Sequence, residues 1–115
     1  MKIKADFVTN SSSTAYVIVN ISNKELNLVD FVTENPHFIE DFVKYYDWHK
    51  GDDKYTQYNL IVSAIKNNII FYPGKEKYCI FGDEDGTLIG EIFDYMLREG
   101  GSSYNFTWKY KESLR

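Results

Sequence analysis

The sequence predicts a small α+β domain: a mixed or antiparallel sheet of about four strands carrying about four helices, in the order β-α-α-α-β-β-α-β. Three observations lead there. Residues 15–21 form an almost unbroken apolar run rich in Val and Ile, the pattern of a strand covered on both faces. Four later segments repeat apolar residues at helical spacing. The last segment, Tyr104 to Lys111, alternates with period two, Tyr104, Phe106, Trp108 and Tyr110 facing one way and Asn105, Thr107, Lys109 and Lys111 the other.

Each element has its own signal. Ser22-Asn23 offers a cap for a first helix, with Leu26, Val29 and Val32 on its apolar face through about Glu34. Asn35-Pro36 breaks it and starts a second helix, Asn as the cap and Pro at the first helical position. Phe38, Ile39, Phe42, Val43 and Tyr46 line one side of that helix; Glu40, Asp41 and Lys44 fall opposite. After a polar loop at residues 50–54, Leu60, Ile61, Ala64 and Ile65 mark a third helix that closes at Asn67-Asn68. Ile69 to Tyr72 reads as a short strand, Pro73-Gly74 as a turn, and Tyr78 to Phe81 as the return strand of a hairpin. Residues 82–86 form an acidic turn, and Thr87 caps a fourth helix striped by Leu88, Ile89, Ile92, Phe93, Met96 and Leu97. Gly100-Gly101 stops it. The order of strands within the sheet is not legible at this level.

Composition narrows the function classes. At 115 residues the chain reads as one domain, 1–115, with residues 1–13 as a polar lead-in. A hydrophobic share of 43% and an aromatic share of 17% argue for a packed core over disorder. The net charge of −4 is local: residues 24–54 hold eight acids against four Lys, and the remainder balances nine against nine. An acidic segment of this kind repels a polyanion, so nucleic acid is not the expected partner. Cys79 is the single cysteine, which precludes an internal disulfide and a thiol-based zinc site. With no apolar leader behind Met1-Lys2-Ile3-Lys4 and no stretch of membrane-spanning length, the expectation is a cytoplasmic chain without membrane attachment and without a cofactor.

Several groups invite a chemical reading. Asp83-Glu84-Asp85-Gly86-Thr87-Leu88 follows a strand and resembles the Asp-x-Asp-Gly-Thr-Leu motif of haloacid-dehalogenase-like phosphatases. The resemblance would make Asp83 the nucleophile and Asp85 the acid/base, with carboxylates holding Mg²⁺. It spans about six residues, and only 28 follow Thr87, where that family places a large α/β domain and a downstream Lys. A calcium loop fails on spacing, because Phe81 and Ile92 stand where ligands are required, leaving Asp83 and Asp85 as a weak metal candidate. His37 and His49 fall about 18 Å apart along one helix, so they cannot share a site. Cys79, inside a strand, reads as a small buried hydrophobe. The aromatic face of the C-terminal strand could stack single-stranded bases, but its Lys residues fall on the opposite face and a helix-covered sheet needs that face for its core.

Residues 45–58 carry the stronger signal. Tyr45, Tyr46, Trp48, His49, Tyr55 and Tyr58 are interleaved with Asp47, Asp52 and Asp53 across a helix end, a loop and a helix start. Such a stretch offers few core positions, and exposed Tyr and Trp anchor protein interfaces. The competing reading packs Tyr46 and Tyr58 inward and leaves a solvated acidic loop. The expected partner-binding residues are Tyr45, Trp48, His49, Asp52, Asp53 and Tyr55.

The opening run, Asp6-Phe7-Val8-Thr9-Asn10-Ser11-Ser12-Ser13, resembles the start of small uncharacterised proteins of low-GC Gram-positive bacteria and their phages and mobile elements. Thr14-Ala15 interrupt that pattern before Tyr16. The resemblance implies an origin and no chemistry. The run itself reads either as a self-bonding turn that delivers the chain into the first strand or as an anion-binding or modified hydroxyl cluster. Taken together, the expectation is a non-enzymatic protein-binding module, an inhibitor of a host factor if the origin is phage-like. The alternatives are a metal-dependent enzyme on a phosphate-bearing substrate at Asp83 and Asp85, and a single-strand nucleic-acid binder.

Overall fold

The chain was analysed as a computed structural model that describes residues 13–45, 53–82 and 87–114. The α+β class is as expected. In chain order the elements are β1 (Thr14–Asn20), β2 (Leu26–Asn27), α1 (Leu28–Glu34), α2 (His37–Tyr45), α3 (Gln57–Asn67), β3 (Ile70–Phe71), β4 (Glu76–Phe81), α4 (Leu88–Met96), β5 (Gly101–Ser102) and β6 (Phe106–Ser113). The main sheet is antiparallel with strand order β4-β1-β6-β5, and β2 and β3 form a separate two-stranded antiparallel sheet.

The apolar run at residues 15–21 becomes the central strand. β1 pairs on one side with β4 and on the other with β6, so Tyr16 faces Cys79 and Tyr110 while Val17 lies between Tyr78 and Lys109. Tyr16 and Ile18 point into the helices and are fully buried; Ala15 and Val17, on the opposite face, are buried between their cross-strand neighbours. Ile21 falls outside the strand and is exposed.

Three boundaries differ from the sequence reading, each for a local reason. The first helix starts at Leu28, not behind Ser22-Asn23. Asn27 is its cap: the Asn27 side chain accepts from Asp30 N at 3.0 Å, and the Asp30 carboxylate accepts from Asn27 N at 2.8 Å. Leu26-Asn27 is thereby left extended and pairs with β3. Asn35 ends α1 where a cap for α2 was expected; its backbone N–H donates to Val32 O and its side chain to Phe31 O. Third, β3 and β4 are not a hairpin. Pro73-Gly74 does turn the chain, with Lys75 N donating to Tyr72 O at 3.1 Å. The buried Asn20 side chain, however, donates to Phe71 O at 2.9 Å, and Gly74 N donates to Asn20 O at 2.7 Å. The turn is thus pinned to the end of β1, which sends β3 to β2 and β4 to β1.

The Thr87 cap and the Asn67-Asn68 end follow expectation, and Thr56 is a cap the sequence reading did not name. Thr56 and Thr87 cap α3 and α4, and Asn68 closes α3 in the left-handed conformation at φ 50. Ile65, expected on the inner face of α3, is exposed; Leu60 and Ala64 carry that contact. Gly100, at φ 71, turns the chain after α4 and feeds β5, a short strand the sequence did not reveal.

The core is aromatic and centres on Phe31 of α1. Its ring meets Phe106 at 5.0 Å, Trp108 at 5.3 Å, Phe93 at 5.5 Å, Phe38 at 5.9 Å and Phe71 at 6.4 Å between centroids. One side chain therefore touches β6, α4, α2 and β3. Deleting it leaves a cavity that rings cannot collapse into, so Phe31→Ala is expected to cost about 3–5 kcal/mol in guanidinium unfolding. A loss under about 1 kcal/mol would contradict this packing.

Candidate functional site

A cleft of about 550 Å³ opens between α2 and the end of α4. Helical spacing builds one wall: His37, Asp41 and Tyr45 fall at i, i+4 and i+8, while Phe38, Ile39 and Phe42 turn inward. Tyr95, Met96 and Glu99, from the end of α4 and the residues after it, form the other wall, continued by Gly100, Gly101 and Ser102. Phe38 and Trp108, 5.5 Å apart between ring centroids, make the floor. A Cβ on Gly101 would stand 2.8 Å from Trp108 Cζ2, so the backbone can lie against the indole only because that residue is glycine. Trp108 is 7% exposed, and its Nε1–H meets no acceptor among the described residues. Among the described residues, Asp41 and Glu99 are the carboxylates of this lining, and no Lys or Arg joins them. Arg98 lies 4.9 Å from the Tyr95 ring, but its guanidinium is held by Asp94 at 3.3 Å.

The residues expected to bind a partner divide on inspection. Tyr45 is 67% exposed and belongs to the cleft. Asp53 is exposed in the turn before α3. Tyr55 is not an exposed anchor, which corrects its place in that surface: it is 9% exposed, its ring packs 5.6 Å from Phe42, and its hydroxyl donates to Glu91 at 2.6 Å. Lys54 closes over it, 5.2 Å from the ring and 3.3 Å from Glu91. The phenol needs both a hydrophobic slot and an acceptor, and α4 supplies the acceptor. Tyr58, the residue offered for inward packing, is 75% exposed. Tyr46, Trp48, His49 and Asp52 lie outside the described residues, as do Asp83 and Asp85 and the opening run through Ser12.

The end of that run meets a buried polar cluster. Thr14 Oγ1 donates to Asp94 Oδ1 at 2.6 Å, the Tyr16 hydroxyl donates to Asp94 O at 2.7 Å, and Arg98 Nε donates to the same carbonyl at 2.7 Å. Asp94 is completely buried on α4, so these bonds tie the start of β1 to the helix. Sequence reading passed over Asp94 because one acid in an apolar stripe carries no periodic signal. It also passed over Tyr95, Glu99, Gly101 and Trp108 as cleft residues, since only the sheet order brings β6 under α2.

The remaining candidates resolve by position. Cys79 is buried as expected, and that burial pushes its thiol up to about 12 despite nearby Lys77. His37 is exposed at the start of α2, its ring 4.5 Å from Phe38. Phe106 and Trp108 are core, whereas Tyr104 and Tyr110, expected beside them, are exposed: Tyr104 precedes β6, and Tyr110 keeps the alternation opposite Tyr16 but lies next to the bulge, toward the exposed end of the strand. Among the described residues no three His, Cys, Asp or Glu gather to hold a metal ion, and no helix is long and apolar enough to cross a membrane. No protein-family model, curated protein or solved structure matches the chain.

Burial likewise pushes the Tyr16 phenol up to about 12, reinforced by Asp94 and opposed by Arg98 and Thr14. For both Tyr16 and Cys79 the folded chain keeps its proton at a pH where the unfolded chain has lost it. Their contribution is intact below the ordinary values of 9.0 for Cys and 10.0 for Tyr and is lost as pH climbs toward about 12. Unfolding free energy should fall across that window by about 1 kcal/mol per pH unit for each group. Tyr16→Phe should flatten the upper part of the slope, and an unchanged slope in that variant would exclude Tyr16 as its source.

Proposed function

We propose that this chain is a small non-enzymatic protein-binding module whose docking site is the cleft between α2 and the end of α4. The observation that supports it is the meeting of Tyr45, Tyr95 and Trp108 with Asp41 and Glu99 around one open cavity. Aromatic side chains supply contact area at small entropic cost, and a rigid floor of Phe38 and Trp108 preorganises them. The acidic, aromatic segment that drew attention in the sequence begins at Tyr45, which lines this cleft. The resemblance of the opening run to proteins of phages and mobile elements gives the module a setting, that of an inhibitor acting on a host factor in a bacterial cytoplasm.

Tyr45 and Glu99 are exposed, so their substitution should leave stability within about 0.5 kcal/mol. With the full chain immobilised and a low-GC Gram-positive lysate passed over it, the Tyr45→Ala/Glu99→Gln variant should lose a captured partner at least about tenfold. Tyr78→Ala, on the opposite sheet face, should retain it. Equal retention by the cleft variant would overturn the assignment of this site.

A further inference from the structure

Resting on the cleft as the docking site, we infer that its occupant is a basic segment of the partner, inserting an Arg or Lys side chain between Tyr45 and Tyr95. Charge selects the sign. Asp41 and Glu99 stand on opposite walls, and among the described residues no Lys or Arg lines the cavity. The exposed ring of Tyr45 offers a face that attracts a cation further, the kind of contact that Arg98 makes on Tyr95 at 4.9 Å. A guanidinium suits such a slot because it is flat and weakly hydrated.

The proposed function makes the occupant a protein segment, and the acidic lining makes that segment basic. Trp108, more than nine-tenths buried in the floor with Gly101 resting against its indole, lies directly beneath such an occupant and reports on it.

The test titrates the full chain by calorimetry with an acetylated, amidated hexapeptide of alternating Gly and Arg. In parallel, the Trp108 indole N–H resonance is followed, using Trp48→Phe to assign it. The Arg peptide should bind and move the Trp108 signal, and its citrulline counterpart should not bind. Asp41→Asn/Glu99→Gln should weaken binding at least about fivefold, while Glu25→Gln/Glu76→Gln, which removes the same charge elsewhere, should leave it within about twofold. Equal weakening by both pairs, equal binding of the citrulline peptide, or spermidine binding as well as the peptide would each overturn the inference. A partner captured through Tyr45 and Glu99 by a chain that ignores the Arg peptide would sink the basic occupant and leave the docking site standing.

Discussion

Phe31 is the contact on which the rest of the structure depends. Among the described residues its ring meets five aromatic rings, and these come from four other elements, three of them distant in sequence. Its contacts with Phe93, Phe106 and Trp108 are edge-to-face, the arrangement that ring quadrupoles favour. A domain of this size has one core, and here that core is organised around a single helix turn pressed onto the inner sheet face. Phe38 and Trp108 are both partners of Phe31 and both floor residues of the cleft, so the packing that holds the fold also fixes the base of the candidate site.

Polar ties then set register where apolar packing alone would permit slippage. Asn20 binds the Pro73-Gly74 turn to the end of β1, and Asp94 binds the start of β1 to α4. Glu34, at the end of α1, accepts from Ser103, from Asn105 N at 2.7 Å and from Asn105 Nδ2 at 2.8 Å. That carboxylate positions the loop between β5 and β6, and with it the Gly101 wall against Trp108. Each of these groups is costly to bury without its partners, which is why they discriminate between alternative arrangements more sharply than another apolar contact would.

The sequence made the fold class, the central strand, all four helices, the Thr87 start of α4 and the Asn67-Asn68 end of α3 accessible, because periodicity and caps are local signals. It misplaced the pairing of β3 and β4 because the Pro73-Gly74 turn is a real turn whose strands are claimed by other partners through Asn20, a contact 51 residues from Phe71. Half of the candidate site was visible: Tyr45 stood out as an aromatic at an acidic helix end. Tyr55 carried the same signal and proved to be core, since nothing near it in sequence announces that Glu91 waits on α4 to accept its hydroxyl. Trp108 and Gly101 were read as core and helix stop, and only strand order places them beneath α2.

The opposite sheet face provides the natural contrast. Val17, Val19, Tyr78 and Ile80 lie there, and all four described helices pack on the other side. It carries Lys109 among its side chains and holds a smaller hollow of about 200 Å³, where the cleft is aromatic and acidic. Backbone and indole chemical-shift mapping of the isotope-labelled chain during addition of its captured partner separates the two most directly. The account predicts perturbations concentrated at residues 37–45, 95–102 and the Trp108 indole. Perturbations confined to Val17, Val19, Tyr78 and Ile80 would contradict it.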